Sequence, residues 1–295
     1  WQLTAGSTGK LGTVLEDWTY DAYWSYGRTV LNETQDGNVR RDRVQALLDA
    51  ADGGASLCTG GLNLFGSAPI SDACKAYISL QAKNLTTVIQ RNAEANISGT
   101  LFNLPAGEVQ TVFGMAYRDT DFDFKPDSGL QPGLVAGFNE QKPVSGYLKW
   151  FDLYTEAQVP LLKDLPLMQS LSLNLGARTS HNNKFGSSNS YKVNVDWKIV
   201  DDLRFRGGYQ TATRSPSISE LFAPQLNNFP TFTNQDPCNT TGTIATTYRN
   251  GANGSQVRAL CTAQSAVAGG TSYVQPAGQA TGITGGNPNL TPETA

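Results

Sequence analysis

The chain has 295 residues, enough for one large domain or two ordinary ones, but only 16% of them are charged, against about a quarter in a usual soluble protein. Asn, Ser, Thr, Gln and Gly replace the missing charges, which suits strands with one polar face and one apolar face. The formal net charge of -3 provides no basic surface, so nucleic acid is excluded as an expected partner.

The first half of the chain shows strand patterns on either side of a long insertion. Apolar and polar residues alternate at every second position in the strand-like segments, which are residues 1–10, 17–29, 92–104 and 109–124. The insertion, at about 31–85, contains a helical pattern at 39–50 and a second short helix that Ser71 caps and that runs to about 82. A tight turn at 104–107 separates the last two strands.

The second half alternates more cleanly, at 147–161, 170–180 and 191–199, and more weakly at 203–213. In the first of these segments one face reads Phe151, Leu153, Thr155, Ala157, Val159 and Leu161. The connections are a loop near 125–145, a tight turn at 162–166, a loop near 181–190, a turn at 201–202 and an insertion at 214–290. In the last insertion Ser215 with Pro216 offers a helix start near 215–222, and Ser217 with Glu220 has the spacing of a capping box. The stretch 263–286 is assigned no structure.

Long and short connections therefore alternate along the whole chain, which places the long loops at one end of an up-and-down sheet and the turns at the other. Outer-membrane barrels have this asymmetry. No stretch approaches the ~18 apolar residues of a transmembrane helix, whereas a spanning strand needs only about ten. We predict an all-β fold: roughly eight antiparallel up-and-down strands of an incomplete transmembrane β-barrel, with short helices in long extracellular loops.

The four cysteines form two local pairs, Cys58 with Cys74 and Cys238 with Cys261, each within a stretch rich in Gly, Ser, Asn or Thr. Their spacing matches neither a zinc site nor a redox motif. Two loop-closing disulfides in an oxidising compartment fit this pattern better than four free thiols in a reducing cytosol.

The segment GYQTATRSPSISELF at 208–222, followed by GGNPNLTPE at 285–293, resembles the late-barrel signature of TonB-dependent receptors. The motif residues are Tyr209, Arg214, Pro216, Glu220, Leu221, Phe222, Asn287, Pro288, Leu290, Pro292 and Glu293. The segment CTGGLNLFG…ISDACKAYI at 58–78 is similar to a cysteine-bracketed extracellular loop of a subgroup of these receptors. Together with the hairpins, the resemblance covers essentially the whole chain.

The resemblance implies that residues 1–295 are one part of a 22-stranded barrel whose plug domain and terminal strands lie outside this chain. It implies an integral protein of the bacterial outer membrane that takes up a scarce ligand, such as an iron–siderophore complex, cobalamin or an oligosaccharide. The implied partners are outer-membrane lipid, the plug domain and the TonB energy-transducing complex. We expect both ends of the chain to be cut, and no cofactor.

Two other functions share parts of this pattern: a passive outer-membrane porin, and a secreted all-β protein that binds carbohydrate. A porin would have no plug, and a secreted protein would have polar outer strand faces. We expect no catalytic residue, because the sequence contains no G-x-S-x-G elbow, no P-loop and no H-E-x-x-H motif.

A few further residues are weighed singly. Arg204, Arg206 and Arg214 lie along one predicted strand, with Gln210 on the same face. Arg204, Arg206 and Gln210 are candidates for contact with a ligand or the plug. Asp119, Asp121 and Asp123 lack the glycine and further oxygen ligands of a calcium loop, and His181 has no partner histidine, so we expect no metal site. The expected membrane-interface aromatics are Trp18, Tyr20, Trp24, Trp150, Trp197 and Tyr209.

Overall fold

The computed structural model describes residues 1–12, 15–231, 236–240, 248–264 and 282–295. The chain divides into two compact units, Trp1–Pro224 with Gly285–Ala295, and Gln225–Thr284. Within the described ranges, no helix combines the length and the apolar character needed to cross a membrane.

The first unit is built on an eight-stranded antiparallel sheet in which every strand pairs with the next one along the chain. This is the predicted up-and-down order, and the count of eight strands is confirmed. The strands are β1 (Gln2–Lys10), β2 (Thr19–Val39), β3 (Ser79–Leu104), β4 (Gly107–Lys125), β5 (Val144–Leu165), β6 (Met168–Asn182), β7 (Gly186–Val200) and β8 (Leu203–Gln210).

The pairing register gives the sheet two chemically distinct faces. One face, here the apolar face, carries a band that includes Tyr20, Ala95, Met115, Leu153 and Val195. The opposite face, here the polar face, carries Tyr23, Glu94, Arg118, Asp152, Arg178, Lys192 and Arg206. The two faces arise because alternate residues of each strand point to opposite sides of the sheet, and the register aligns apolar with apolar and polar with polar residues.

Short turns at 105–106, 166–167 and 201–202 lie at one end of the sheet, here the turn end, and the long connections at 40–78 and 126–143 lie at the other, the loop end. The strands reach much further toward the loop end than the sequence indicated: β2 has 21 residues and β3 has 26. The predicted insertion at 31–85 therefore shrinks to 40–78, and the loop at 181–190 shrinks to the turn at 183–185. In the loop-end parts of these strands the alternation of apolar and polar residues is weak, because neither face of the sheet is apolar.

Along β5, the apolar band spans most of the ~25 Å height of the apolar belt of an outer-membrane barrel. From Phe151 to Val159, β5 rises about 27 Å at ~3.4 Å per residue, or roughly 20 Å of height at a tilt near 40°. Beyond the band, the same face turns polar at Arg91, Asp119 and Lys149. Tyr20, Trp24, Trp197 and Tyr209 share the apolar-face register, and Trp18 stacks on Phe113 of that face. Trp150 lies on the polar face, so its assignment to an interface girdle is wrong.

The connection between β2 and β3 folds into a small module with its own core. It contains helix α1 (Arg41–Asp49) and helix α2 (Asp72–Ile78), and the Cys58–Cys74 disulfide has a Cα–Cα distance of 5.0 Å. Both cysteines are buried with Leu47, Leu62 and Ile78. The Ser71 side chain caps α2 as predicted, accepting from Cys74 N at 3.2 Å, but the helix ends at Ile78 and not near 82 because β3 begins there.

After β8, the described part of the first unit contains a third helix, α3 (Ile218–Phe222), and one two-stranded pairing. Strand β9 (Thr213–Arg214) pairs with β12 (Glu293–Thr294) in the first unit. The N-cap of α3 is Ser217, with a full capping box to Glu220. This confirms the predicted capping box of Ser217 and Glu220. The predicted N-cap at Ser215 is wrong, because Pro216 precedes the cap and does not occupy the first helical position.

The described parts of the second unit are β10 (Leu226–Asn228) paired with β11 (Gly282–Thr284), and helix α4 (Gly254–Gln264). Cys238 and Cys261 form a disulfide with a Cα–Cα distance of 5.6 Å, so both sequence-based cysteine pairings are present in the structure. The sequence analysis missed α4. Most of the stretch 263–286, to which we assigned no structure, falls outside the described residues.

Candidate functional site

The centre of the polar face contains a chain of hydrogen-bonded side chains that crosses three strands. The Tyr154 hydroxyl of β5 donates to Glu94 Oε1 of β3 at 2.6 Å, and the Tyr23 hydroxyl of β2 donates to Glu94 Oε2 at 3.0 Å. Tyr154 reaches over β4 because its register partner there is Gly114, where a Cβ atom would collide with the tyrosine ring. A glycine in the middle of a strand thus positions a side chain of the site.

Next to these hydrogen-bonded side chains, one buried carboxylate accepts hydrogen bonds from two arginines. Asp152 is fully buried, and its Oδ2 atom accepts from Arg178 at 2.5 Å and from Arg118 at 3.4 Å. Each guanidinium lies over an aromatic ring: Arg118 is 5.4 Å from the Trp150 centroid, and Arg178 is 5.8 Å from that of Tyr154. Aromatic stacking and the shared carboxylate fix both arginines in place.

A groove of about 320 Å³ opens on the polar face next to this cluster. Its lining includes Glu94, Tyr154, Glu156, Arg178, Lys192 and Gln210. The Lys192 ammonium bonds Glu156 Oε2 at 2.8 Å, and its stem crosses Gly176 of the strand between them. The structure therefore places the predicted candidate Gln210 in a polar groove together with residues that the sequence analysis did not single out.

The other two candidates, Arg204 and Arg206, lie on the same face near the turn end. Arg204 Nε donates to Asp196 Oδ1 at 2.6 Å, and Arg206 Nε lies 3.4 Å from Asp196 Oδ2. Arg206 and Asp196 line a second groove of about 420 Å³ with Asn174 and Asn194. Arg214, whose position in sequence suggested the same strand, instead belongs to β9.

A larger depression, about 750 Å³, is lined mainly by apolar-face side chains, among them Tyr20, Ile97, Phe113, Met115 and Leu153. Small residues between these larger ones, such as Ala95 and Ala177, produce it. On a membrane barrel this surface meets lipid and not the lumen. Size alone therefore does not make it the ligand site.

The two halves of the family motif meet at Arg214. Its guanidinium donates to Glu220 Oε1 and Oε2 at 3.0 and 3.2 Å, and to Glu293 Oε1 and Oε2 at 3.0 Å each. Hydrogen bonding from Arg214, and from the backbone and side chain of Ser217, lowers the pKa of Glu220 to about 2. Glu220 is therefore ionised throughout the physiological range.

Backbone contacts reinforce this junction. Asn287 N donates to Glu220 O, and Gly286 N donates to Ala223 O, each at 2.7 Å. A Cβ atom at Gly286 would lie 2.7 Å from the backbone carbon of Leu221, so only glycine fits at this approach. The motif residues thus join α3 to the start of the next strand, β12.

Loop elements cover the loop end of the polar face. Ile218 and Leu221 of α3 are buried against Leu148 of β5, with Phe122 and Trp150 packed beside them. Further along, the loop at 126–143 buries Leu130 and Val135 against Ala82 of β3. The polar cluster thus lies between these covers and the turn end.

The residues considered for metal binding form ion pairs or hydrogen bonds with other side chains of the protein. Arg91 NH1 lies 2.7 Å from Asp119 Oδ1 and 3.0 Å from Asp121 Oδ2, while Lys125 pairs with Asp123 at 3.0 Å. His181 Nδ1 is 3.0 Å from Ser187 Oγ. No group of three or more potential metal ligands occurs among the residues that the structure describes.

A sheet with an apolar band on one face, polar side chains on the other, and its longest connections at a single end is the wall of an outer-membrane-type β-barrel. The chain matches a family model described as TonB dependent receptor-like, beta-barrel, over residues 2–295. It therefore belongs to the TonB-dependent receptor β-barrel family, whose members are outer-membrane receptors and transporters of bacteria and not enzymes. A comparison with curated proteins found no match.

Proposed function

We propose that this chain forms part of the wall of a bacterial outer-membrane receptor that takes up a scarce ligand with energy from TonB. The family match over residues 2–295 carries the proposal. The ligand classes we propose are an iron–siderophore complex, cobalamin or an oligosaccharide. The partners are membrane lipid at the apolar band, a plug domain in the lumen, and the TonB complex.

The geometry supports this reading through the placement of its polar groups. Arg178, Lys192 and Gln210 line a groove on the face that a barrel turns toward its lumen, below the loop elements that cover the loop end. Arg204, Arg206 and Gln210 remain the proposed contacts for a ligand or for the plug.

The test uses the full-length gene in its own host. Cells with and without the gene, each in a background with and without TonB, are grown on limiting iron–siderophore, on limiting cobalamin, or on oligosaccharide as the sole carbon source. We expect a growth defect in one medium, with no additional loss when both genes are deleted. The protein should fractionate with outer membranes and migrate differently on gels after heating.

Two outcomes would favour the other functions. Uptake that needs this gene but persists without TonB would indicate a passive porin. Recovery of the full-length protein in the detergent-free soluble fraction would indicate a secreted all-β protein and would remove the transporter proposal.

A further inference from the structure

The arginines on either side of Asp152 carry more positive charge than their carboxylate neutralises. Two guanidiniums share one carboxylate, and both bond the same oxygen, Oδ2. The other oxygen, Oδ1, is buried and has no hydrogen-bond partner among the described residues. The side chains of Arg118 and Arg178 stay 49% and 42% exposed, so each guanidinium keeps donors that Asp152 does not use.

The spacing of these donors suits a small anion. Because both bond one oxygen, at 3.4 and 2.5 Å, the two NH2 nitrogens are less than about 6 Å apart. The oxygens of a carboxylate or phosphate group, each accepting at ~2.8 Å, can bridge two donors at that separation. The rings of Trp150 and Tyr154 hold the guanidiniums in place, which reduces the entropy lost on binding.

The nearby carboxylates have partners of their own. Glu156 is paired with Lys192. Glu94 is in no ion pair among the described residues, and both of its oxygens accept from tyrosine hydroxyls. The exposed donors of Arg118 and Arg178 therefore remain available to a ligand.

We propose that Arg118 and Arg178 form a binding site for an oxyanion group, a carboxylate or a phosphate, and that Asp152 is the positioning residue that aligns them. The inference deepens the proposed function and rests on it only for the assignment of this face to the lumen. The oxyanion belongs either to the transported ligand or to an acidic side chain elsewhere in the full-length receptor.

The test titrates inorganic phosphate into the full-length receptor in detergent at constant ionic strength, by calorimetry. We expect saturable binding that weakens at least tenfold when Arg118→Gln and Arg178→Gln are combined. If those substitutions prevent folding because Asp152 is left unpaired, adding Asp152→Asn gives a neutral version of the same site. The control, Lys163→Gln with Lys198→Gln, removes two cations near the turn end of the same face and should bind as wild type.

The single variant Asp152→Asn distinguishes the positioning role of Asp152 from its effect on the charge of the site. It makes the site more positive, so a purely electrostatic site would bind phosphate more tightly. We expect weaker binding, because the guanidiniums lose their common anchor. Tighter binding would refute the positioning role.

The two sources of the oxyanion give different results. A transported ligand leaves the site open to phosphate in the resting receptor. An internal acidic side chain blocks phosphate, and the variant that combines both arginine substitutions with Asp152→Asn then lowers the thermal midpoint of the full-length receptor while the lysine control does not. The proposal fails if phosphate binding and thermal stability are the same in the arginine and lysine variants. Uptake that is independent of TonB would instead remove the proposed function and leave the phosphate result standing.

Discussion

Opening the Cys58–Cys74 disulfide tests whether the module between β2 and β3 depends on that cross-link. The bond closes a loop with a sequence separation of 16, and in the chain-entropy model a loop of this size contributes about 3 kcal/mol to stability. Both sulfurs lie in the small core with Leu47, Leu62 and Ile78, so the surrounding side chains cannot easily compensate for the loss of the cross-link. We expect the local free energy of opening to fall by about that amount.

Amide hydrogen exchange on the full-length receptor measures this change directly. About 3 kcal/mol corresponds to roughly a hundredfold increase in the opening constant. The reporting amides are Cys58 N, which donates to Gly54 O, Leu62 N, which donates to Gly53 O, and Lys75 N, which donates to Ser71 O. Each should exchange roughly a hundredfold faster after reduction, or in a variant that combines Cys58→Ala with Cys74→Ala.

The sheet provides the internal control. Amides in the middle of β4, such as that of Met115, lie within continuous antiparallel pairing on both sides and should exchange at unchanged rates. Unchanged exchange at Lys75 after reduction would refute the reasoning, since it would mean that side-chain packing alone holds α2. Faster exchange throughout the sheet would refute it as well, because the module would then not be a separate local unit.

Three further changes test the polar face and the motif junction. Gly114→Ala should displace the Tyr154 ring and lower the free energy of unfolding in denaturant by about 1–3 kcal/mol, the usual effect of overpacking. Arg214→Ala should raise the pKa of Glu220 from about 2 toward its ordinary value, as followed by NMR titration of the carboxyl carbon. Since the folded pKa is depressed, the stabilisation is present above the unfolded pKa and is lost as pH falls from about 4 toward 2. Leu221→Ala should weaken docking of α3 by about 2–5 kcal/mol, seen as faster local exchange or proteolysis.

Each of these changes has a matched comparison. Gly207→Ala adds the same methyl group where no atom lies within 4 Å, so equal destabilisation at both glycines would contradict the role of the Tyr154 ring. Ser219→Ala alters the exposed side of α3 and should leave its docking unchanged. A Glu220 titration midpoint that stays near 2 without Arg214 would show that Ser217 alone lowers the pKa.

Sequence patterns predicted the sheet well where one face is apolar. Leu171, Leu173 and Leu175 alternate without interruption, and β6 lies where they indicated. The prediction failed for the distal halves of β2 and β3, where Thr, Asn and Gln occupy both faces and hydrogen bonds to neighbouring strands hold the chain extended. It also failed at Leu161, because a register shift between Pro160 and Leu162 brings Leu162, and not Leu161, opposite Leu171.

The site was less predictable than the strands, because its contacts join residues that are distant in sequence. Asp152 meets Arg178 and Arg118 only once the pairing register is known, and neither arginine stands out in its own segment. A usable signal does exist in retrospect. Gly114 and Gly176 interrupt strong strands, and each leaves room for a long side chain from the neighbouring strand.

The motif junction explains how such a long connection can follow β8 without disturbing the wall. Arg214 and Glu293 are 79 positions apart, yet their ion pair, the β9–β12 pairing and the hydrogen bond from Gly286 N to Ala223 O fix both ends of the connection. For a flexible connection, each doubling of its length costs only about 0.6 kcal/mol in closure entropy. Because a charged cluster and a close glycine contact hold its ends, we expect a change in the length of this connection to cost little and to leave the β9–β12 pairing in place.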